Sequence, residues 1–416
     1  MEPFFTNDAI VLGILMVVLA GIFVTSGSAH PFWKKFYRYV PALLLCYFIP
    51  ALLNWPLNLI SGDHTQLYHV SSRYLLPACL ILLCLSIDFK GIVGLGPKAL
   101  VMFLAGTTGV IIGGPIALLT TAWLFPNIIE AAPADIWKGF STIAGSWIGG
   151  GPNQTAIKEI FQVNDNLFGT MIVVDVVVAN IWMGFLLYGA NISNRLDRYF
   201  KADNSAIENL KEKITAYRTK IERMPTTTTT FVLMAVAFGG TAMSHWGADV
   251  LVPFMSKFKE SLEAVRMHTL MSDFFWLIVF ATTLGIALSF TRAKSLEGVG
   301  ASRWGSVFIY ILVATIGMKM NLSEVFKNLG LFAVGAIWML IHVIVLFVVG
   351  KLIKAPFFYF AVGSQANIGG AASAPVVASA FSPSLAPVGV LLAVLGYALG
   401  TYGALICAYL MQFVSR

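Results

Sequence analysis

Charge is what this sequence has least of. Only 11% of its 416 residues are Asp, Glu, Lys or Arg, while 58% are hydrophobic, and a soluble domain would carry about 25% charged residues. Mean hydropathy is +0.80. That balance excludes an ordinary soluble globule and implies a polytopic membrane protein in a lipid bilayer. Cysteine is also scarce. Cys46, Cys79, Cys84 and Cys407 all sit in apolar runs without metal-type spacing, so they read as packing residues. No phosphate-cradling P-loop is present, which removes ATP as the energy source. HExxH, a GxSxG elbow and paired carboxylates within apolar segments are missing too, and the chain is not expected to be an enzyme. The net charge of +7 lies in short loops, as the positive-inside bias demands, so no nucleic-acid partner is implied. The first apolar run lacks a basic leader, since Met1 to Asp8 carries Glu2 and Asp8, and a retained helix is expected there.

What is present is a series of apolar segments in two halves. Residues 1–190 form a first membrane repeat with segments at 9–26, 39–54, 74–87, 99–124, 137–161 and 168–190. Residues 191–228 form a charged, partly helical linker that ends in a threonine run. Residues 229–416 form a second repeat with segments at 231–246, 274–290, 304–317, 329–350, 357–381 and 385–413, and an amphiphilic stretch at 247–268. Each half has six segments with a polar break in the fifth. A short turn follows the third segment in each, Ile87-Asp88-Phe89 and Met320-Asn321-Leu322.

Basic residues pose a topological problem. Lys34, Lys35 and Arg38 place the first loop in the cytoplasm, and Arg292, Lys294, Arg303, Lys351 and Lys354 place two later loops there as well. Twelve full crossings would put those later loops outside. At least one segment should therefore fail to span or be re-entrant. Segment 231–246, interrupted by Gly239-Gly240, and the first broken segment are the candidates. An inverted repeat is the favoured arrangement.

The two breaks carry the chemistry. Residues 144–155 read Ala-Gly-Ser-Trp-Ile-Gly-Gly-Gly-Pro-Asn-Gln-Thr, and 363–375 read Gly-Ser-Gln-Ala-Asn-Ile-Gly-Gly-Ala-Ala-Ser-Ala-Pro. Irregular backbone at membrane depth is tolerated only when it is buried in protein or lines a wet cavity. Paired interruptions point to the central site of a secondary transporter. Gly149-Gly150 and Gly369-Gly370 permit unwinding, which frees carbonyls for a cation and half-helix N-termini for a carboxylate. Asn153, Gln154 and Thr155 after the first break, with Ser364, Gln365, Asn367 and Ser373 around the second, offer neutral oxygens and amide donors for a polar solute. The alternative for each is interhelical bonding.

Asp175 lies among valines inside an apolar segment and is the candidate ligand of a coupling cation or carrier of a proton. Asn180, Asn367, Tyr397 and Thr401 are placed with it. His342 reads as bonded to a neighbouring helix or as a proton relay. Lys158 and Glu159 read as an interfacial pair, and Trp55, Tyr68 and Trp123 as interfacial anchors.

Four runs carry a resemblance. Thr282-Thr283-Leu284-Gly285-Ile286-Ala287-Leu288-Ser289-Phe290-Thr291, Ser364-Gln365-Ala366-Asn367-Ile368-Gly369-Gly370, Ser382-Pro383-Ser384-Leu385-Ala386-Pro387-Val388-Gly389-Val390-Leu391 and Gly396-Tyr397-Ala398-Leu399-Gly400-Thr401-Tyr402 resemble the YjcL-like integral membrane proteins, a domain of unknown function. That family is similar in fold to the sodium-coupled bile-acid, glutamate and citrate symporters. The resemblance implies an all-α protein with two inverted repeats, each with a broken crossing helix, and an elevator-type core on a scaffold. It also implies a Na+- or H+-coupled transporter of a small polar or anionic solute in a bacterial-type inner membrane, with a homodimer as the expected assembly. A passive channel and an intramembrane enzyme are the alternatives.

Overall fold

The computed structural model describes residues 3–40, 42–130, 135–202, 224–264, 268–320, 330–382 and 385–415. These are helical without a strand, as hydrocarbon requires when every backbone group must pair inside its own segment. Ten principal helices follow in order: α1 (Asp8–Ser26), α2 (Ala42–Asn54), α3 (Leu67–Leu85), α4 (Pro97–Leu124), α5 (Asp165–Asn191), α6 (Thr227–Ser256), α7 (Asp273–Ser289), α8 (Ala301–Gly317), α9 (Leu331–Leu352) and α10 (Ala386–Val414). Seven of them are long and apolar enough to cross a membrane. Between α4 and α5 lies the first broken segment, Ile136–Ile160, and between α9 and α10 the second, Phe357–Ile368 with Gly370–Phe381. Most of the charged linker, residues 203–223, lies outside the described residues, as do Asn321, Leu322, Pro383 and Ser384.

Two expectations need correction. The segment at 231–246 is no short interrupted piece, because α6 runs unbroken for 30 residues through Gly239-Gly240. Nothing approaches Gly239, while Gly240 lets Ile81 of α3 and Leu284 of α7 pack closely. The pair is a packing surface rather than a breaker.

The second broken segment, expected to cross, turns back on itself instead, and the first, a candidate to be re-entrant, does the same. Trp137 and Phe161, at the two ends of the first, meet with ring centroids 5.4 Å apart. Phe358 and Phe381, at the two ends of the second, meet at 5.3 Å. Nearer the first tip, a Cβ on Gly145 would lie 2.8 Å from the carbonyl oxygen of Asn153. Both are helical hairpins. The arms of the second are 12 residues each, too short to span the roughly 20 residues a bilayer demands.

Contacts along α10 and α5 fix how the hairpins face. At the start of α10, Gly389 packs on the Ala374 backbone of the second hairpin; at its end, Tyr409 meets Phe161 of the first at 5.9 Å. On α5, Gly139 of the first hairpin packs against Leu167, and Gly189 against Phe357 of the second. Leu167 and Gly189 lie ~33 Å apart at 1.5 Å per helical residue. The hairpins thus enter from opposite ends of the bundle, and their tips meet halfway.

Candidate functional site

At the meeting point Gly150 adopts φ 73°, ψ −174°, and Gly370 adopts φ 57°. Side chains with a β-carbon avoid both conformations. A Cβ on Gly370 would lie 3.9 Å from the Cα of Gly150, and one on Gly150 would lie 3.7 Å from the Tyr397 ring. Gly150, Gly151, Gly369, Ser373 and Tyr397 are half-buried. A returning arm begins at its tip with N–H groups that have no intrahelical acceptor, and an incoming arm ends there with carbonyls that have no intrahelical donor. Partial charges of both signs therefore face the middle of the bundle.

The hairpins are held by a bonding pattern that occurs twice. Asn153 Nδ2 donates to the Gly149 carbonyl (2.9 Å) and to the Tyr397 carbonyl of α10 (3.4 Å), while Thr401 Oγ1 donates to its Oδ1 (2.6 Å). Asn367 Nδ2 donates to the Gly363 carbonyl (2.9 Å) and to the Phe103 carbonyl of α4 (2.9 Å), while Thr107 Oγ1 donates to its Oδ1 (2.8 Å). In each case an asparagine takes the carbonyl four residues back, across the Gly150 break for Asn153 and within the incoming arm for Asn367. It also takes a carbonyl and the threonine one turn later on the neighbouring helix. Burial makes these bonds obligatory, since both asparagines are fully enclosed.

Asp175 on α5 straddles the first tip. Its Oδ1 accepts from Trp147 Nε1 at 2.7 Å and its Oδ2 from Gln154 Nε2 at 3.1 Å, so one buried carboxylate joins the arms before and after Gly150. A carboxylate has about four acceptor sites. Gln365 spans the second tip in a similar way by donating from Nε2 to Ser373 Oγ at 2.6 Å, and its Oε1 is buried without a partner. Thr155 donates to the Gly151 carbonyl at 3.0 Å.

A second chain of bonds ties four elements together. Trp182 Nε1 of α5 donates to Ser364 Oγ of the second hairpin (2.8 Å), and Ser364 lies 2.8 Å from His342 Nε2 of α9. His342 Nδ1 lies 3.0 Å from the Gly106 carbonyl of α4. A carbonyl only accepts, so Nδ1 carries the proton and Ser364 donates to Nε2.

Most of the site residues named from sequence gather here: Gly149, Gly150, Asn153, Gln154, Thr155, Asp175, Ser364, Gln365, Asn367, Gly369, Gly370, Ser373, Tyr397 and Thr401. Asn180 does not join Asp175. It donates to the Val176 carbonyl of its own helix at 2.7 Å, because five residues along a helix turn it about 140° away. Lys158 and Glu159 pair at 3.1 Å, yet Lys158 is buried rather than interfacial and also reaches Asp165 at 2.9 Å. Tyr68 is likewise no simple anchor. It donates to Glu159 and accepts from Lys158. Trp147, which is buried, and Trp182, which is half-buried, carry no motif in the sequence; their only signal is an indole N–H, which usually finds an acceptor inside a protein.

The arrangement defines a polytopic α-helical membrane protein built around two opposed hairpins. A family model described as "Protein of unknown function (DUF819)" matches residues 13–414, and the chain belongs to that family. A search of curated proteins returns no match.

Proposed function

We propose that this protein is a cation-coupled secondary transporter that moves a small polar or anionic solute by alternating access. The observation that carries this reading is the contact of Gly150 with Gly370 at the tips of hairpins that enter from opposite ends. A solute held between the tips would be released to one side by withdrawal of one hairpin and to the other by withdrawal of its counterpart. Helix termini of both polarities at the tips suit a carboxylate and a cation together. Asp175, which also takes a hydrogen bond from Ser146, is the proposed site of Na+ or H+ coupling, with Asn367 of the second hairpin and Tyr397 and Thr401 of α10 proposed to contribute to the same function.

The same reading removes the topological conflict. If α1 to α10 all cross and both hairpins are re-entrant, each half contributes five crossings, so the second half runs inverted. The three basic loops then share one face with the base of the second hairpin. Contacts agree with that placement: Lys294 meets Asp88 at 2.6 Å, Lys98 reaches the Lys354 carbonyl at 3.1 Å, and Lys351 reaches Tyr199 Oη at 3.3 Å. That face would be cytoplasmic in an inner membrane. The hairpins with α4, α5, α9 and α10 would form the moving core of an elevator. The remaining helices would form a scaffold that mediates dimerisation.

Counterflow in proteoliposomes tests the proposal. A carrier loaded with unlabelled solute accelerates uptake of labelled solute. A channel shows no such trans-stimulation, and an enzyme consumes the solute; either result would replace the carrier reading.

A further inference from the structure

A polar cavity of about 530 Å³ opens at the base of the first hairpin, away from the tips. That is within the roughly 300–1,000 Å³ range of small-molecule sites. Its wall includes three cations, Arg73, Lys158 and Lys319, and three carboxylates, Glu159, Asp165 and Asp273. Lys158 and Lys319 are both occupied, since each meets Asp165, at 2.9 Å and 3.2 Å. Arg73 differs. Among the described residues its guanidinium makes no ion pair, and its Nη1 is buried without a hydrogen-bond partner. The guanidinium lies 4.3 Å from the Phe274 ring centroid.

These features together describe a prepared receptor. Arg73 sits in a π turn, Ser71–Leu75, within α3, and such turns are frequent at functional sites. Phe274 backs the guanidinium, and a guanidinium can bind a carboxylate through two parallel bonds. Asp273 acts electrostatically on Arg73 from the same wall. With charges of both signs in equal number, the wall would repel a dianion at Glu159 and Asp273 and would suit an ion that carries both signs.

We propose that this cavity is a capture site for a zwitterionic solute, an amino acid or short peptide, whose carboxylate binds Arg73 and whose ammonium group faces Asp273. As a station on the way to the hairpin tips it rests on the transporter reading, and it narrows the solute class to zwitterions. The binding itself can be measured without transport.

The test is thermal melting of the purified protein with each of the standard amino acids, alanyl-alanine, succinate or inorganic phosphate. At least one zwitterion should raise the melting temperature, and succinate and phosphate should not. Arg73→Gln should weaken that zwitterion roughly tenfold or more, the scale of a lost charge-assisted bond. Arg73→Lys should restore it only in part, and Asp273→Asn should weaken it while leaving Arg73 intact. Gly370→Leu should keep the binding and lose uptake, so failure of the transporter reading and failure of this site are separable. The proposal is overturned if no zwitterion binds, if succinate or phosphate binds instead, or if Arg73→Gln and Asp273→Asn both leave the shift unchanged.

Discussion

A β-carbon on Gly370 would stop 3.9 Å short of the Cα of Gly150, although the two belong to hairpins that enter from opposite ends of the bundle. The gap admits one methyl group and little more. Gly370→Ala should therefore be accommodated in space but cost ~1–2 kcal/mol for its left-handed backbone. Gly370→Leu should place its side chain between the tips and abolish solute uptake. Proteoliposome uptake by both variants checks this; normal uptake by Gly370→Leu would remove the tips from the solute path.

Gly149 and Gly400 bring the backbones of the first hairpin and α10 into close approach. A Cβ on Gly400 would lie 2.6 Å from the Gly149 Cα, and backbone cannot step aside as a side chain can. Gly400→Ala should cost about 1–3 kcal/mol, the usual range for overpacking. A melting curve in detergent measures it, whereas Gly239→Ala, in open space, should melt like the unmodified protein.

The two asparagine locks predict coupled energetics. Asn153→Ala leaves Thr401 with Thr282, at 3.2 Å, and Asn367→Ala leaves Thr107 with the Phe103 carbonyl, at 3.2 Å; each should destabilise by about 1–3 kcal/mol. Asn153→Ala with Thr401→Val should cost less than the sum of the two changes, while Asn153→Ala with Thr107→Val should simply add. A double-mutant cycle on thermal stability decides between a shared bond and independent packing.

Asp175 is both a structural acceptor and the proposed ion ligand, and two variants separate those roles. Trp147→Phe removes one donor and should lower stability by about 1 kcal/mol while leaving the ion dependence of uptake intact. Asp175→Asn should eliminate that dependence. An unaltered response to Na+ and to a pH gradient in Asp175→Asn would confine the residue to holding the hairpin together.

Much of the architecture is legible in the residues themselves. Apolar runs mark the helices, and glycine pairs mark where Gly150 and Gly370 break the backbone. The reversal of the chain at those breaks is harder to see, because it depends on Trp137 finding Phe161 and Phe358 finding Phe381. Segment length gives no warning, since 357–381 is long enough to cross and only the break at Gly369-Gly370 divides it into 12-residue arms. Gly239-Gly240 misleads for the converse reason. A glycine pair in a helix packed against Ile81 and Leu284 provides closeness, not a break. Arg73, Asp165 and Lys319 are far apart in sequence, so nothing in their local patterns announces a common cavity.

Reactivity of a single cysteine at Ser373 tests the central idea most directly, because Ser373 is half-buried behind the second tip and the four native cysteines are buried. A hydrated chamber with alternating access predicts that a membrane-impermeant thiol reagent modifies Ser373→Cys from either face of oriented vesicles, with Gly370→Leu closing one route. Complete protection from both faces would mean that the tips pack dry against each other, and the transporter account would fail.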